Sequence, residues 1–265
     1  MIIVFLIVLI PLIYCIITLA ISSTIDSLKF KKGFVFPFYS LLLESFLQYG
    51  VFFFLLVDSF RKWESYKSPI NNKIAILLPG YLETQLIYLK IRKYLRKNEI
   101  GYKCIRYKPF TGDLKNLAEN LKILIDLIIE ENKQSEIYLI GHSMGGLIGR
   151  YFLEKYEYKN IHSLIMIATP HKGTLMAKFG IGKCSEQMTP GSDFICNLSN
   201  NFIEDSINFY SIADSLICPR DNALYLKNNH TIESQPLHNS TVFSKSTIKI
   251  IIDKIVYGKH FISNK

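Results

Sequence analysis

Ser135-Glu136-Ile137-Tyr138-Leu139-Ile140-Gly141-His142-Ser143-Met144-Gly145-Gly146-Leu147 decides the reading of this chain. Its first six residues are a short β-branched and apolar run, the pattern of a buried strand. Leu147 to Leu153 has the composition of a helix. Between them stands G-x-S-x-G. A strand, a sharp turn and a helix in that order lift a serine hydroxyl clear of a sheet edge, which makes Ser143 a candidate nucleophile. Gly141 and Gly145 are expected because strand and helix pass too close there for side chains.

Outward from the turn, strands and helices alternate. Lys73–Leu78, Tyr102–Tyr107, Ser163–Ala168 and Ile207–Ile212 read as strands. Tyr88–Lys97, Asp113–Asn132 and Thr247–Tyr257 read as helices, the second with apolar residues at Leu117, Leu121, Leu124, Ile125 and Ile128. Such alternation predicts an α/β fold, a mostly parallel sheet with helices on both faces.

The 265 residues suffice for one such domain plus an extension. A hydrophobic fraction of 49% and a mean hydropathy of +0.19 are high for a purely soluble domain. The excess lies at the front. Met1 to Ala20 is nearly unbroken apolar sequence, long enough to span a bilayer. No Lys or Arg precedes it, and Leu19-Ala20-Ile21-Ser22-Ser23 is a poor cleavage site, so it reads as a retained anchor rather than a signal peptide. A second apolar run, 34–60, carries Glu44, Gln48 and Asp58. It spans, lies in the interface, or packs on the domain with Glu44 facing protein. Domain organisation is thus 1–60, hydrophobic helices, and 61–265, the catalytic domain.

In residues 1–60 three Lys offset three carboxylates, so the whole net charge of +9 lies in 61–265. Either anionic lipid attracts this surface or Lys is simply abundant. The basic residues lack aromatic interleaving, which sets nucleic acid aside. The five cysteines form no metal-ligand pattern; a Cys184–Cys196 bridge stays open.

A serine hydroxyl needs a base and an orienting carboxylate. Asp214 falls just past the strand Ile207–Ile212, ahead of the rivals Asp205, which precedes the strand, and Asp221, which lies beyond Pro219. Of six histidines, His142 belongs to the turn and should point away, His171 precedes the acid, and His162 and His260 are misplaced. His238, in a loop just before the last helix, is preferred to His230. The oxyanion donors expected are the N–H groups of Met144 and of Tyr81, in the loop Pro79-Gly80-Tyr81-Leu82.

Four stretches carry a resemblance: Leu77-Leu78-Pro79-Gly80-Tyr81, Gly141–Gly146, Ala168-Thr169-Pro170-His171-Lys172-Gly173-Thr174, and Asp214–Pro219 with His238. Over about residues 73–258 the chain resembles the lipase/esterase branch of the α/β-hydrolases, near bacterial triacylglycerol lipases and the hydrolase domain of GPI inositol-deacylases. Gln187-Met188-Thr189-Pro190-Gly191-Ser192 is similar to a segment of membrane-anchored bacterial members. The resemblance implies an α/β-hydrolase fold and a Ser143–His238–Asp214 triad cleaving lipid acyl esters. No cofactor is needed, and no carboxylate cluster demands a metal; the apolar front predicts anchoring in a membrane, the bacterial inner membrane. These lipases usually have His-Gly where this chain has Pro79-Gly80. A cap is expected at about 174–206, its apolar residues binding an acyl chain, opening toward a membrane, or packing on the body. The same triad also serves an acyltransferase or thioesterase, and a non-catalytic membrane scaffold is the remaining alternative.

Overall fold

The computed structural model describes residues 64–68, 70–198, 205–225, 231–234 and 237–258, with isolated positions 13, 16–18, 20, 24, 44, 47 and 50 ahead of them. Most of both apolar runs, and His230, His260 and 199–204 of the expected cap, lie outside the described residues. Among the described residues no helix is long and apolar enough to cross a membrane.

Seven strands form one sheet: β1 (Ser65–Tyr66), β2 (Lys73–Leu78), β3 (Gly101–Cys104), β4 (Glu136–His142), β5 (Ile161–Ile167), β6 (Ser206–Ser211) and β7 (Thr231–Ser234), in the order β1-β3-β2-β4-β5-β6-β7. All neighbours are parallel except β1, which pairs antiparallel with β3. The helices are α1 (Leu89–Lys97), α2 (Leu114–Glu131), α3 (Met144–Lys155), α4 (Lys183–Met188), α5 (Asp193–Asn197), α6 (Ser240–Phe243) and α7 (Lys245–Tyr257).

The two-residue period of the strands divides the core. Ile76 and Leu78, Ile137 and Leu139, and Leu164 and Met166 face α2 and α3. Ala75 and Leu77, Tyr138 and Ile140, and Ile165 and Ile167 face α1 and α7. Both faces are covered, so these strands are apolar throughout. Each buried Leu, Ile or Phe stabilises by about 1.5–3 kcal/mol. Asp113 caps α2, accepting the N–H of Lys115 at 2.8 Å.

Several expected boundaries move, two of them furthest. The strand expected over Tyr102–Tyr107 ends at Cys104, although Ile105 still donates to the Leu77 carbonyl at 3.0 Å. The helix after the turn begins at Met144, a full turn before Leu147, because Gly145 and Gly146 are already helical.

Register places the site. Leu78 is level with Gly141, His142 with Ile167, Ile167 with Phe209, and Ser211 with Ser234. The carboxyl ends of five strands therefore share one edge, and the loops after them converge where ligands bind in α/β sheets.

Candidate active site

Ser143 stands between β4 and α3 at φ 51°, ψ −118°. A non-glycine residue there costs on the order of 1–3 kcal/mol and persists only where the surroundings hold it. Here they do. The Ser143 N–H donates to the Ile167 carbonyl at 2.8 Å, and its carbonyl accepts from Gly146 N at 3.1 Å. A Cβ on Gly145 would lie 1.9 Å from the Leu78 oxygen, and one on Gly141 would lie 2.5 Å from Gly146 N. The first turn of α3 thus rests directly on the ends of β2 and β4. The buried hydroxyl of Tyr88 ties those ends together, 2.7 Å from the Leu78 carbonyl and 3.1 Å from that of Ile140.

After β6 the chain turns and buries Asp214. Its Oδ1 accepts the N–H groups of Leu216 and Ile217 at 2.8 and 2.9 Å, and its Oδ2 lies 2.8 Å from Nδ1 of His238. Arg220 Nε donates to the Asp214 carbonyl at 3.0 Å. Burial by itself would raise the Asp214 carboxyl, but His238 and the two N–H groups outweigh it and hold it below its ordinary value. Burial would lower His238, but Asp214, Glu44 and Glu83 outweigh it and hold the imidazole above its ordinary value. With Nδ1–H donated to Asp214, Nε2 is the basic nitrogen, a tautomer assigned by the hydrogen-bond network.

Two carboxylates brace this pair: Glu83, which sequence reasoning missed, and Glu44, for which it left a protein-facing placement open. Glu83 lies within 2.8 Å of Nδ1 of His142, and its Oε2 accepts the Gly80 N–H at 2.5 Å. The far nitrogen of His142, Nε2, donates to the His238 carbonyl at 3.2 Å, and the two rings are 5.0 Å apart. The His142 ring thus points at the backbone of His238, as a brace. Glu44 is fully buried and accepts the N–H groups of Asn239 and Ser240. Of the placements open to the second apolar run, Glu44 itself faces protein.

The loop after β2 passes over the turn: a Cβ on Gly80 would lie 3.0 Å from that of Ser143. The Gly80 N–H is committed to Glu83, which fixes the loop at the residue after Pro79. Tyr81 follows. Its hydroxyl accepts from Ile181 N at 2.8 Å and donates to the Ile181 carbonyl at 3.0 Å, joining this loop to the segment after β5. Met144, fully buried, heads α3.

The remaining candidates have other work. His171 is buried between Arg150 Nη1, 3.2 Å from Nδ1, and Asn208 Oδ1, 2.9 Å from Nε2, with the Tyr225 ring at 4.8 Å. Burial and then Arg150 push it well below its ordinary value, so it is a neutral strut. Asp205 pairs with Lys254 of α7, and Asp221 is exposed in a short helical turn. His162 is exposed and stacks on Tyr138. The open Cys184–Cys196 bridge is absent: both are free thiols, Cys184 buried in the core and Cys196 exposed.

From Thr174 to Leu198 the chain forms a short turn (Leu175–Phe179), α4 and α5. Cys184, Met188, Phe194 and Leu198 join the core on the α2–α3 face. Gln187 accepts the Leu114 N–H at 2.8 Å, tying the segment to the start of α2. Phe179 and Ile181 remain 74% and 68% exposed.

A family model described as lecithin:cholesterol acyltransferase matches residues 106–190. The GPI inositol-deacylase of Candida albicans (strain SC5314 / ATCC MYA-2876) is 30% identical over 66 residues, which cover 24% of this chain and 17% of that protein, less than a fifth of its length. The structure is similar to Aspergillus fumigatus lipase B, with a TM-score of 0.60 at 15% identity over 72% of this chain and 54% of that one. It is also similar to the mature form of Bacillus licheniformis lipase BlEst2, with a TM-score of 0.61 at 14% identity over 73% of this chain and 98% of that one. The shared architecture is the α/β-hydrolase fold.

Proposed function

We propose that this chain is a membrane-associated serine hydrolase of carboxylic esters, lipid acyl esters foremost. One observation carries the reading: a buried Asp214–His238 pair at 2.8 Å stands with a strained Ser143 on the same sheet edge. His238 Nε2 takes the proton as Ser143 Oγ attacks the acyl carbon. The N–H groups of Met144 and Tyr81 hold the oxyanion, each worth about 2.7–4 kcal/mol in the transition state. The ester C–O bond breaks, and the alcohol leaves with the proton from Nε2. Water, deprotonated by the same nitrogen, then releases the acid from the acyl-serine. Asp214 fixes the ring and stabilises the imidazolium. The lipase names among the structural neighbours, the apolar front and the +9 charge of the remainder support a lipid substrate at a membrane.

A second reading has its own support: the acyltransferase family match spans the serine turn. There an alcohol replaces water as the acceptor, with the same groups.

The test is hydrolysis of p-nitrophenyl esters of short to long acyl chains by detergent-solubilised protein and by Ser143→Ala, with fluorophosphonate labelling alongside. Turnover and labelling that both vanish in the variant are expected. Labelling without hydrolysis, restored to turnover by added alcohol, selects acyl transfer. A folded wild type with neither leaves the scaffold alternative.

A further inference from the structure

Glu44 is 195 residues away from Asn239 in the chain, yet its Oε1 accepts the Asn239 N–H at 2.8 Å and its Oε2 accepts the Ser240 N–H at 3.0 Å. Its relative exposure is 0%. A carboxylate removed from water is costly unless its oxygens are hydrogen-bonded, and here both are. Glu44, Leu47 and Gly50 are helical, three residues apart, and buried or half-buried.

The two amides that Glu44 holds are those immediately after His238. The Asp214 carboxylate holds the ring and His142 Nε2 holds the carbonyl. Asp214 and His142 restrain His238 itself and Glu44 restrains the two amides that follow it; of the three, only Glu44 comes from the apolar front. The ionisable groups facing His238 are Asp214, Glu44, Glu83 and His142. Where it is ionised, Glu44 favours the imidazolium formed during acyl transfer.

We propose that Glu44 is a positioning residue for His238, which brings one residue of the second apolar run into the active-site framework. The proposal rests on the hydrolase reading and deepens it. A shift of about 1 Å in a base is enough to cost on the order of a hundredfold in rate. The ester only has to reach Ser143, so its binding should be little affected.

The test uses the full chain in detergent micelles. Glu44→Gln keeps the size but sets an N–H₂ group against one of the two amides; Glu44→Ala removes both acceptors. Expected are a fall in kcat of about 10- to 100-fold with KM within about twofold, and a matching fall in fluorophosphonate labelling. The acid limb of the kcat/KM–pH profile should move down, because loss of a nearby anion lowers an imidazole pKa. Histidine ¹⁵N NMR, assigned with His238→Asn, reads the same shift without turnover. If wild type neither turns over nor labels, the hydrolase reading fails while the NMR titration still tests Glu44. An unchanged His238 titration and kcat in folded Glu44→Gln and Glu44→Ala overturn the proposal. So does a collapse of the thermal midpoint in both, which assigns Glu44 to stability alone.

Discussion

Asp214→Asn tests the triad most directly, because the structure separates its cost in rate from its cost in stability. Asparagine has the same shape. Its oxygen can still accept from Leu216 and Ile217, as Oδ1 does now at 2.8 and 2.9 Å. Its amino group then faces His238 Nδ1, which must turn from donor to acceptor. The ring hydrogen moves to Nε2, the nitrogen that has to take the serine proton. The expected loss is about 10⁴ in kcat, or roughly 5.5 kcal/mol at 1.36 kcal/mol per decade. The fold loses one charge-assisted hydrogen bond and keeps two neutral ones, a cost of about 1–2 kcal/mol. For a domain of this size that lowers Tm by about 2–8 °C. Fluorophosphonate labelling and p-nitrophenyl ester turnover at 25 °C, set against thermal unfolding, measure both. A folded Asp214→Asn within about tenfold of wild-type kcat refutes the assignment.

The pH dependence follows from the same pair. In the proposed mechanism the base must be neutral, and His238 is held above the ordinary 6.5, so kcat/KM should rise with a midpoint above 6.5, read from a pH–rate profile. Its raised value also stabilises the fold fully below 6.5, a contribution lost as pH rises through the folded value. The contribution of Asp214 is present above its unfolded value near 3.8 and is lost as pH falls through its lowered one. Glu83→Ala should lower kcat by about 10- to 100-fold in steady-state assays, because the Gly80 N–H and His142 lose a shared partner. Glu83→Gln, which can accept from one and donate to the other, should keep most of the rate. Gly145→Ala should cost at least about 3 kcal/mol by thermal or urea unfolding, since its Cβ meets backbone at 1.9 Å. Gly191→Ala, at φ +82° with nothing within 4 Å, should cost only about 1–2 kcal/mol in the same measurement.

What the sequence made legible is what local chemistry determines. The strand–turn–helix at Ser143 declared itself because two glycines and a serine at fixed spacing have few other uses, and the structure shows the crowding that demands them. The long amphipathic α2 and the apolar β2, β4 and β5 were readable because their periods are sustained. Asp214 and His238 could be ranked by chain order, and they meet at 2.8 Å. Two-residue β1, four-residue β7 and the helices of 183–197 carry too few residues for a period to emerge. Glu83 left a faint signal, a carboxylate three residues after the loop glycine. Glu44 left only a discord, a charge in an apolar run, and its reason lies 195 residues away.

That separation sets a timetable for synthesis. The brace from His142 to the His238 carbonyl spans 96 residues. At 5–20 residues per second, a ribosome needs about 5–20 s to travel from the serine to its base. During that interval the nascent chain carries the Ser143 turn without the Asp214–His238 pair. Whatever chemistry depends on that pair waits until the stretch that carries it has been made, and a product truncated before His238 lacks it.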